Sequence, residues 1–301
     1  MRIERVAIIG LGLIGGSVGL AVRDMLPDVA TTGWDADGGV RTRAADRGLV
    51  GSVCETVAET VEDADLVVFC VPVGAMGYAA EAIAPHLKPG TIVSDVGSSK
   101  RSVGEALTAA LPDAIVVPAH PVAGTEKSGP EAGFPELFRH RWCILTPGKD
   151  APQDAVDAVS AFWEGLGAKV EIMDADHHDL VLAVTSHIPH LIAYTIVGTA
   201  SDLEDVTRGE VIKYSAGGFR DFTRIAASNP TMWRDVFLTN RDAVLEVLGR
   251  FTEDLSLLQR AIRNGDGDTL FDLFERTRTI RRSIIEEGQD DARPDFGRKD
   301  H

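Results

Sequence analysis

The sequence predicts an α/β domain with a doubly wound, mostly parallel sheet over residues 1–174, followed by an all-helical domain over 175–288. Three observations carry that expectation. Short apolar runs alternate with helix-length stretches through the first half. A glycine-rich turn, "GLGLIG" (10–15), separates the first run from the first helix. Beyond about residue 174 strand signals nearly vanish and helical periodicity takes over.

In chain order, "ERVAII" (4–9) is a β-branched run that meets Gly10, and residues 16–25 have helical character. "TTGWD" closes a second strand at Asp35. "DLVVFCVP" (65–72), "TIVSDV" (91–96) and "AIVVPAH" (114–120) repeat the form. None alternates strictly, which suits strands covered on both faces. "AAEAIAPHL" (79–87) and "KRSVGEALTAAL" (100–111) supply helices between them, and "RWCILTPG" (141–148) and "AKVEIMD" (168–174) read as later strands of the same unit. The second half reads as long helices, the first with a kink expected at Pro189. Residues 289–301 are polar and expected to be disordered.

Composition narrows the function. The 301 residues are 44% hydrophobic and 25% charged, as in a soluble globular protein. A formal charge of −16 without a Lys/Arg cluster argues against nucleic acid as a partner. Cys54, Cys70 and Cys143 lie far apart with no CxxC, so neither a disulfide frame nor a zinc site is expected. The N-terminus lacks a signal-peptide apolar stretch, and no run reads as a membrane span. A cytoplasmic location is the expectation.

"GLGLIG" is GxGxxG directly after a strand and directly before a helix. Gly10 permits the tight turn, Gly12 lets backbone approach a pyrophosphate, and Gly15 lets helix pack on strand. With Leu13 and Ile14 these residues form the expected cofactor-binding turn. The helix N-terminus adds free N–H groups and partial positive charge. Asp35, about twenty residues on, is placed to bind ribose hydroxyls, and its charge favours NAD over NADP. Arg41 and Arg43 follow and would weaken that preference. Val71 and Pro72, at the end of the fourth run, are placed to pack on the cofactor; Cys70 reads equally as core.

Two further strand ends carry polar residues, "SDVGSSK" (94–100) and "HPVAGTEKSG" (120–129). Ser98 and His120 are expected to converge on the cofactor edge of the sheet. No GxSxG elbow makes the pair a hydrolase signature. A hydroxyl and an imidazole beside a hydride acceptor suit alcohol oxidation, with His120 as general base. His187 and His190, three apart on a helix, lack a third ligand, so no metal is expected.

The motifs "GLGLIGGS", "DVGSSK", "HPVAGTEKSG", "SHIPH" and "GGFRDFTRIAASNPTMWRD" stand in order over nearly the whole chain. Together they resemble the prephenate dehydrogenase family, the prephenate, arogenate or cyclohexadienyl dehydrogenases of tyrosine synthesis. The resemblance implies a Rossmann domain followed by a helical domain that forms a homodimer. It implies NAD(P)-dependent oxidative decarboxylation of prephenate to 4-hydroxyphenylpyruvate, with arogenate as the rival substrate. By motif position, His120 would accept the proton of the substrate hydroxyl, and Ser98 would bond that hydroxyl and the His. Arg224 of "DFTRIA" would hold a substrate carboxylate; without the resemblance the favoured reading is a helix salt bridge to Asp221 three residues earlier. His190 would line the substrate pocket, and Glu126 would lie at its mouth, acting or gating. His187 reads as a pocket residue or a buried hydrogen-bonded one, and Trp233 as core or interface. A β-hydroxyacid dehydrogenase would need a catalytic Lys in the helical half, where Lys213 is the one candidate before residue 297. A non-catalytic redox sensor would be expected to lose Ser98, His120 or Arg224.

Overall fold

A computed structural model describes residues 1–125, 127–202 and 217–286. Glu126, Lys213 and the tail 289–301 lie outside the described residues. By its internal contacts the chain divides into two compact units, Met1–Leu245 and Glu246–His301.

The first unit is organised by six parallel strands: β1 (Arg5–Ile9), β2 (Ala30–Trp34), β3 (Ser52–Val53), β4 (Leu66–Phe69), β5 (Ile92–Asp95) and β6 (Ile115–Val116). Their order across the sheet is β3-β2-β1-β4-β5-β6, all in parallel register. This is the doubly wound order that turns at β1/β4 and opens a crevice there. Helices α1 (Leu13–Met25) and α2 (Gly38–Asp46) cover one face; α3 (Val57–Val61), α4 (Met76–Ile83) and α5 (Lys100–Ala110) cover the other.

The strand sequences explain the two faces. Val6, Ile8, Leu66 and Val68 sit in one core with Val18 and Val22 of α1. Their neighbours Ala7, Ile9, Val67 and Phe69 sit in a second core with Met76, Ala80 and Leu107. Both sets are buried, so the runs are continuously apolar rather than alternating.

Residues 141–148 and 168–174 do supply later strands of the same unit, but in a second sheet. Ala119–Pro121 (β7), Trp142–Leu145 (β8) and Lys169–Ile172 (β9) form a separate three-stranded sheet in the order β7-β8-β9. β7 runs antiparallel to β8, and β8 parallel to β9. "AIVVPAH" therefore splits: β6 closes the first sheet and β7 opens the second. Pro118, lacking an N–H, stands at the break. α6 (Gln153–Gly165) joins β8 to β9 and packs Phe162 and Trp163 into the first core.

The helical half begins with α7 (Ala175–Leu182), capped by the Asp174 side chain on the N–H groups of Asp176 and His177. A π-turn, Ala183–His187, leads into α8 (Ile188–Asp202). The irregularity expected at Pro189 thus takes the form of one widened turn just ahead of it. Ile188 N–H bonds Ala183 O, five residues back, in a segment where Pro189 donates nothing. The run Ala175–Asp202 is, by length and a mean hydropathy of 1.6, apolar enough to cross a membrane, which the sequence did not suggest. Its His178, Asp179 and His187 are nevertheless buried against other elements of the unit. α9 (Gly217–Thr223), a 3₁₀ turn (Arg224–Ala227), and α10 (Pro230–Thr239), capped by Asn229, follow. α11 (Arg241–Asn264) starts in the first unit, and α12 (Gly267–Glu286) belongs to the second.

Candidate active site

The glycine turn has the shape its spacing demands. Gly10 has φ +98°, and a Cβ there would lie 2.7 Å from Cys70 O. A Cβ on Gly15 would lie 1.9 Å from Gly10 O, so only glycine lets α1 pack this close. Gly12 differs: nothing lies within 4 Å of its missing Cβ, and no side chain caps α1. Open space beside uncapped N–H groups fits a pyrophosphate. Asp35 Oδ2 accepts from Leu11 N–H at 2.8 Å, and Oδ1 from Asp37 N–H at 3.0 Å. The carboxylate thus braces the turn, and each oxygen keeps a second lone pair for a ribose hydroxyl. Arg41 is engaged by Asp35 O and Glu55, and Arg43 by Glu131. At the end of β4, Val71 is half-buried and Pro72 exposed, while burial pushes the Cys70 thiol up and keeps it protonated.

His120 sits on β7, in the second sheet, and is buried. A buried clasp holds it against the first sheet. Asp95, ending β5, accepts from Ala119 N–H at 3.2 Å and from Gly97 N–H at 2.7 Å. Lys100, fully buried, bonds Asp95 Oδ2, the oxygen that also accepts from Gly97, and donates to Ala119 O at 2.7 Å. The residue next to His120 is therefore gripped at both its N–H and its C=O. Burial pulls the Lys100 ammonium down, with the Asp95 charge opposing.

His120 Nδ1 lies 2.8 Å from His178 Nε2, and His178 Nδ1 lies 2.8 Å from Asp179 Oδ1. Asp179 caps α5 from a distance: Lys100 N–H bonds Oδ1 at 2.7 Å and Arg101 N–H bonds Oδ2 at 3.1 Å. The Ser99 side chain, where a local cap would be expected, bonds Thr239 instead at 2.7 Å. Asn240 Nδ2 donates to Asp179 O at 2.8 Å and lies 3.1 Å from His187 Nδ1. Burial lowers His120 well below the usual imidazole range, helped by the neighbouring His178 and then by Lys100. It also lowers His178, and brings His187 to about 4. For Asp179, burial works against ionisation, but the His178 and backbone N–H bonds outweigh it and hold the carboxyl below its usual range. The imidazoles are neutral and Asp179 is charged at neutral pH.

The remaining expected residues are placed as follows. Ser98, half-buried, makes no hydrogen bond to His120 among the described residues. His190 is half-buried on α8; its Nδ1 bonds Ser186 O at 2.9 Å, and its ring stacks on Trp233 with centroids 3.6 Å apart. Burial lowers His190, and the Arg224 charge lowers it further, so the two side chains are electrostatic neighbours. Trp233 is buried between His190, His187 and Phe237. Among the described residues, no group of three His, Cys, Asp or Glu could hold a metal ion.

Sequence reasoning missed Asp95, Lys100, His178, Asp179 and Asn240. A signal existed for the first: an aspartate ends the otherwise apolar run "TIVSD", where a charge needs a partner. The helix start "DADHHDL" carries no such signal, because its partners lie far off in sequence.

Comparison with known proteins identifies the family. A sequence model of the prephenate dehydrogenase nucleotide-binding domain matches residues 18–172, and one of the prephenate dehydrogenase dimerization domain matches 174–276. The chain belongs to the prephenate dehydrogenase family. It is 46% identical over 281 residues to a cyclohexadienyl dehydrogenase of Zymomonas mobilis, covering 93% of this chain and 96% of that one. It is 31% identical to a prephenate dehydrogenase of Bacillus subtilis, covering 92% of this chain and 75% of that one. A crystal structure of prephenate dehydrogenase from Aquifex aeolicus, in complex with hydroxyphenyl propionate and NAD+, superposes with a TM-score of 0.87 at 31% identity. That superposition covers 94% of this chain and 99% of that one. The protein is thus an oxidoreductase of this family with a nucleotide-binding Rossmann domain and a helical half.

Proposed function

We propose that the chain oxidatively decarboxylates prephenate to 4-hydroxyphenylpyruvate with NAD, in tyrosine biosynthesis. The observation that carries this reading is His120: a buried, neutral imidazole whose Nδ1 is engaged by His178 while its Nε2 has no hydrogen bond among the described residues. Such a group is ready to accept a proton.

Gly10, Gly12, Leu13, Ile14 and Gly15 hold the pyrophosphate, Asp35 the ribose, and Val71 and Pro72 the nicotinamide end. The cofactor chemistry supplied there is acceptance of the hydride from C4. His120 takes the proton of the C4 hydroxyl, and Ser98 orients that hydroxyl. The resulting dienone loses its C1 carboxylate as CO₂, and the bonding pair makes the ring aromatic. That gain drives the reaction, so the chain supplies orientation more than acid–base power. Arg224 presents a planar fork to a substrate carboxylate and His190 lines the pocket, while Glu126, by family resemblance, acts or gates there.

A second reading, that arogenate is also a substrate, is favoured by the 46% identity to a cyclohexadienyl dehydrogenase. Arogenate carries an amine where prephenate carries the side-chain keto group. The domain division at 174/175 and a cytoplasmic, homodimeric enzyme complete the proposal. The dimer is supported by exposed apolar side chains on α11 and α12, among them Leu257, Ile262, Phe271, Phe274 and Ile280.

The test is NADH or NADPH formation with prephenate and with arogenate, each with NAD and NADP. Turnover of prephenate with NAD is expected. No turnover with either substrate overturns the reading.

A further inference from the structure

We infer that His178 and Asp179 are positioning residues that fix the tautomer of His120, placing its proton on Nδ1 and its reactive lone pair on Nε2. The inference deepens the reading above and rests on His120 being the base.

The hydrogen bonds assign the protons one after another. The Asp179 carboxylate can only accept. It already takes the N–H groups of Lys100 at 2.7 Å and Arg101 at 3.1 Å. His178 Nδ1, at 2.8 Å, must therefore donate to it. A neutral imidazole with its proton on Nδ1 has a lone pair on Nε2. That lone pair faces His120 Nδ1 at 2.8 Å, so His120 Nδ1 donates and its Nε2 is left as acceptor. The opposite assignment would set a lone pair of His178 against a carboxylate oxygen. Both rings are buried, so no solvent proton repairs a wrong choice cheaply.

The surroundings make Asp179 the carboxylate that bonds these rings; Asp95 raises His178 only through its charge at a distance. Asp95 of β5 is neutralised by Lys100 of α5. The thiol of Cys143 on β8 is kept protonated by burial, and His187 of the π-turn is neutral. When His120 takes the hydroxyl proton at Nε2, its Nδ1–H bond to His178 becomes charge-assisted, with Asp179 at the far end of the chain. Asn240, donating to Asp179 O at 2.8 Å, holds that residue in place. The arrangement supplies orientation and tautomer; His178 and Asp179 need not touch substrate.

Two measurements on the full chain test this. The first is a ¹⁵N–¹H correlation spectrum of histidine-labelled protein. His120 and His178 should each show a protonated Nδ1 and an unprotonated Nε2, and a protonated Nε2 on neutral His120 overturns the inference. The second is steady-state kinetics. His178→Leu should lower kcat on the order of 10²-fold and mix the His120 tautomers, with KM for both substrates moving less than about threefold. His178→Gln, whose amide oxygen can accept from His120 Nδ1, should recover at least about tenfold of that loss. An unchanged kcat, a loss confined to KM, or a Gln variant as poor as Leu overturns the inference. If His178→Leu fails to fold, the wild-type spectrum still decides. Absence of turnover in the wild type would instead overturn the proposed function, with the tautomers read independently.

Discussion

The glycine turn and the histidine cluster both lie at strand ends, yet they are assembled in opposite ways. The turn and its brace run from Gly10 to Asp35 within one strand–helix–strand unit. The cluster gathers β5, α5, β7, α7 and Asn240, with His120 and His178 58 residues apart and Lys100 and Asp179 79 apart. The turn works through what is missing, since Gly12 leaves space and Gly15 avoids a clash. The cluster works through buried side chains that hydrogen-bond one another, with His187 Nε2 left without a partner among the described residues. Substitution in the turn acts by filling space. Substitution in the cluster acts by leaving a buried group unpaired, which costs more.

The sharpest way to separate the two is to disable the cluster and leave the turn alone. His120→Asn should reduce turnover by ~10²–10⁴-fold, the usual worth of a general base. NAD affinity, measured by tryptophan fluorescence or calorimetry, should stay within about twofold, because the turn makes none of these bonds. Joint loss of turnover and NAD affinity would mean the two regions are one cooperative site.

The next effect is on stability. Lys100→Met leaves the Asp95 carboxylate buried without its cation and should cost about 3–5 kcal/mol in urea unfolding. Adding Asp95→Asn removes the stranded charge, so the double variant should regain more than half of that loss. If the single variant unfolds at the wild-type urea midpoint, the clasp is not a stabilising element.

These contrasts explain how much could be read in the sequence. The glycine motif, Asp35 and the strand–helix alternation are local, so spacing alone displays them. His120 could be singled out only as a polar residue at a strand end, and His178 not at all. "DADHHD" is an ordinary helix start until β7 leaves the first sheet at Pro118 and brings His120 against α7. The departure of β7 to β9 into their own sheet was equally hidden, because a short apolar run carries no mark of which sheet it joins. Asp179 shows the same limit. A carboxylate that caps the N-terminus of α5 from 79 residues away has no local signature.

A third effect is titratable and again confined to the cluster. Burial holds His187 at about 4, whereas the unfolded chain has an ordinary imidazole near 6.5. As pH falls below about 6.5 the unfolded state takes up a proton that the folded state refuses, so stability falls until about pH 4. The ceiling for this one residue is about 3 kcal/mol. His120, His178 and His190, also lowered, push the same way. Unfolding midpoints measured from pH 7 to pH 4 should drop, and His187→Asn should flatten the drop. Equal slopes in variant and wild type would remove His187 from the account.

The smallest effect tests the turn by its own logic. Gly12→Ala adds a methyl to a position with nothing within 4 Å, so the fold itself should tolerate it, with Tm moving less than about 2 °C. The methyl occupies the space where backbone would meet a pyrophosphate, so NAD affinity should fall on the order of tenfold, or about 1.4 kcal/mol. Gly15→Ala is the control. Its Cβ would stand 1.9 Å from Gly10 O, so that variant must lose stability whether or not cofactor is present. A Gly12→Ala protein that binds NAD normally would show that the pyrophosphate lies elsewhere along α1. One that loses stability as Gly15→Ala does would show that the turn, like the cluster, depends on close packing throughout.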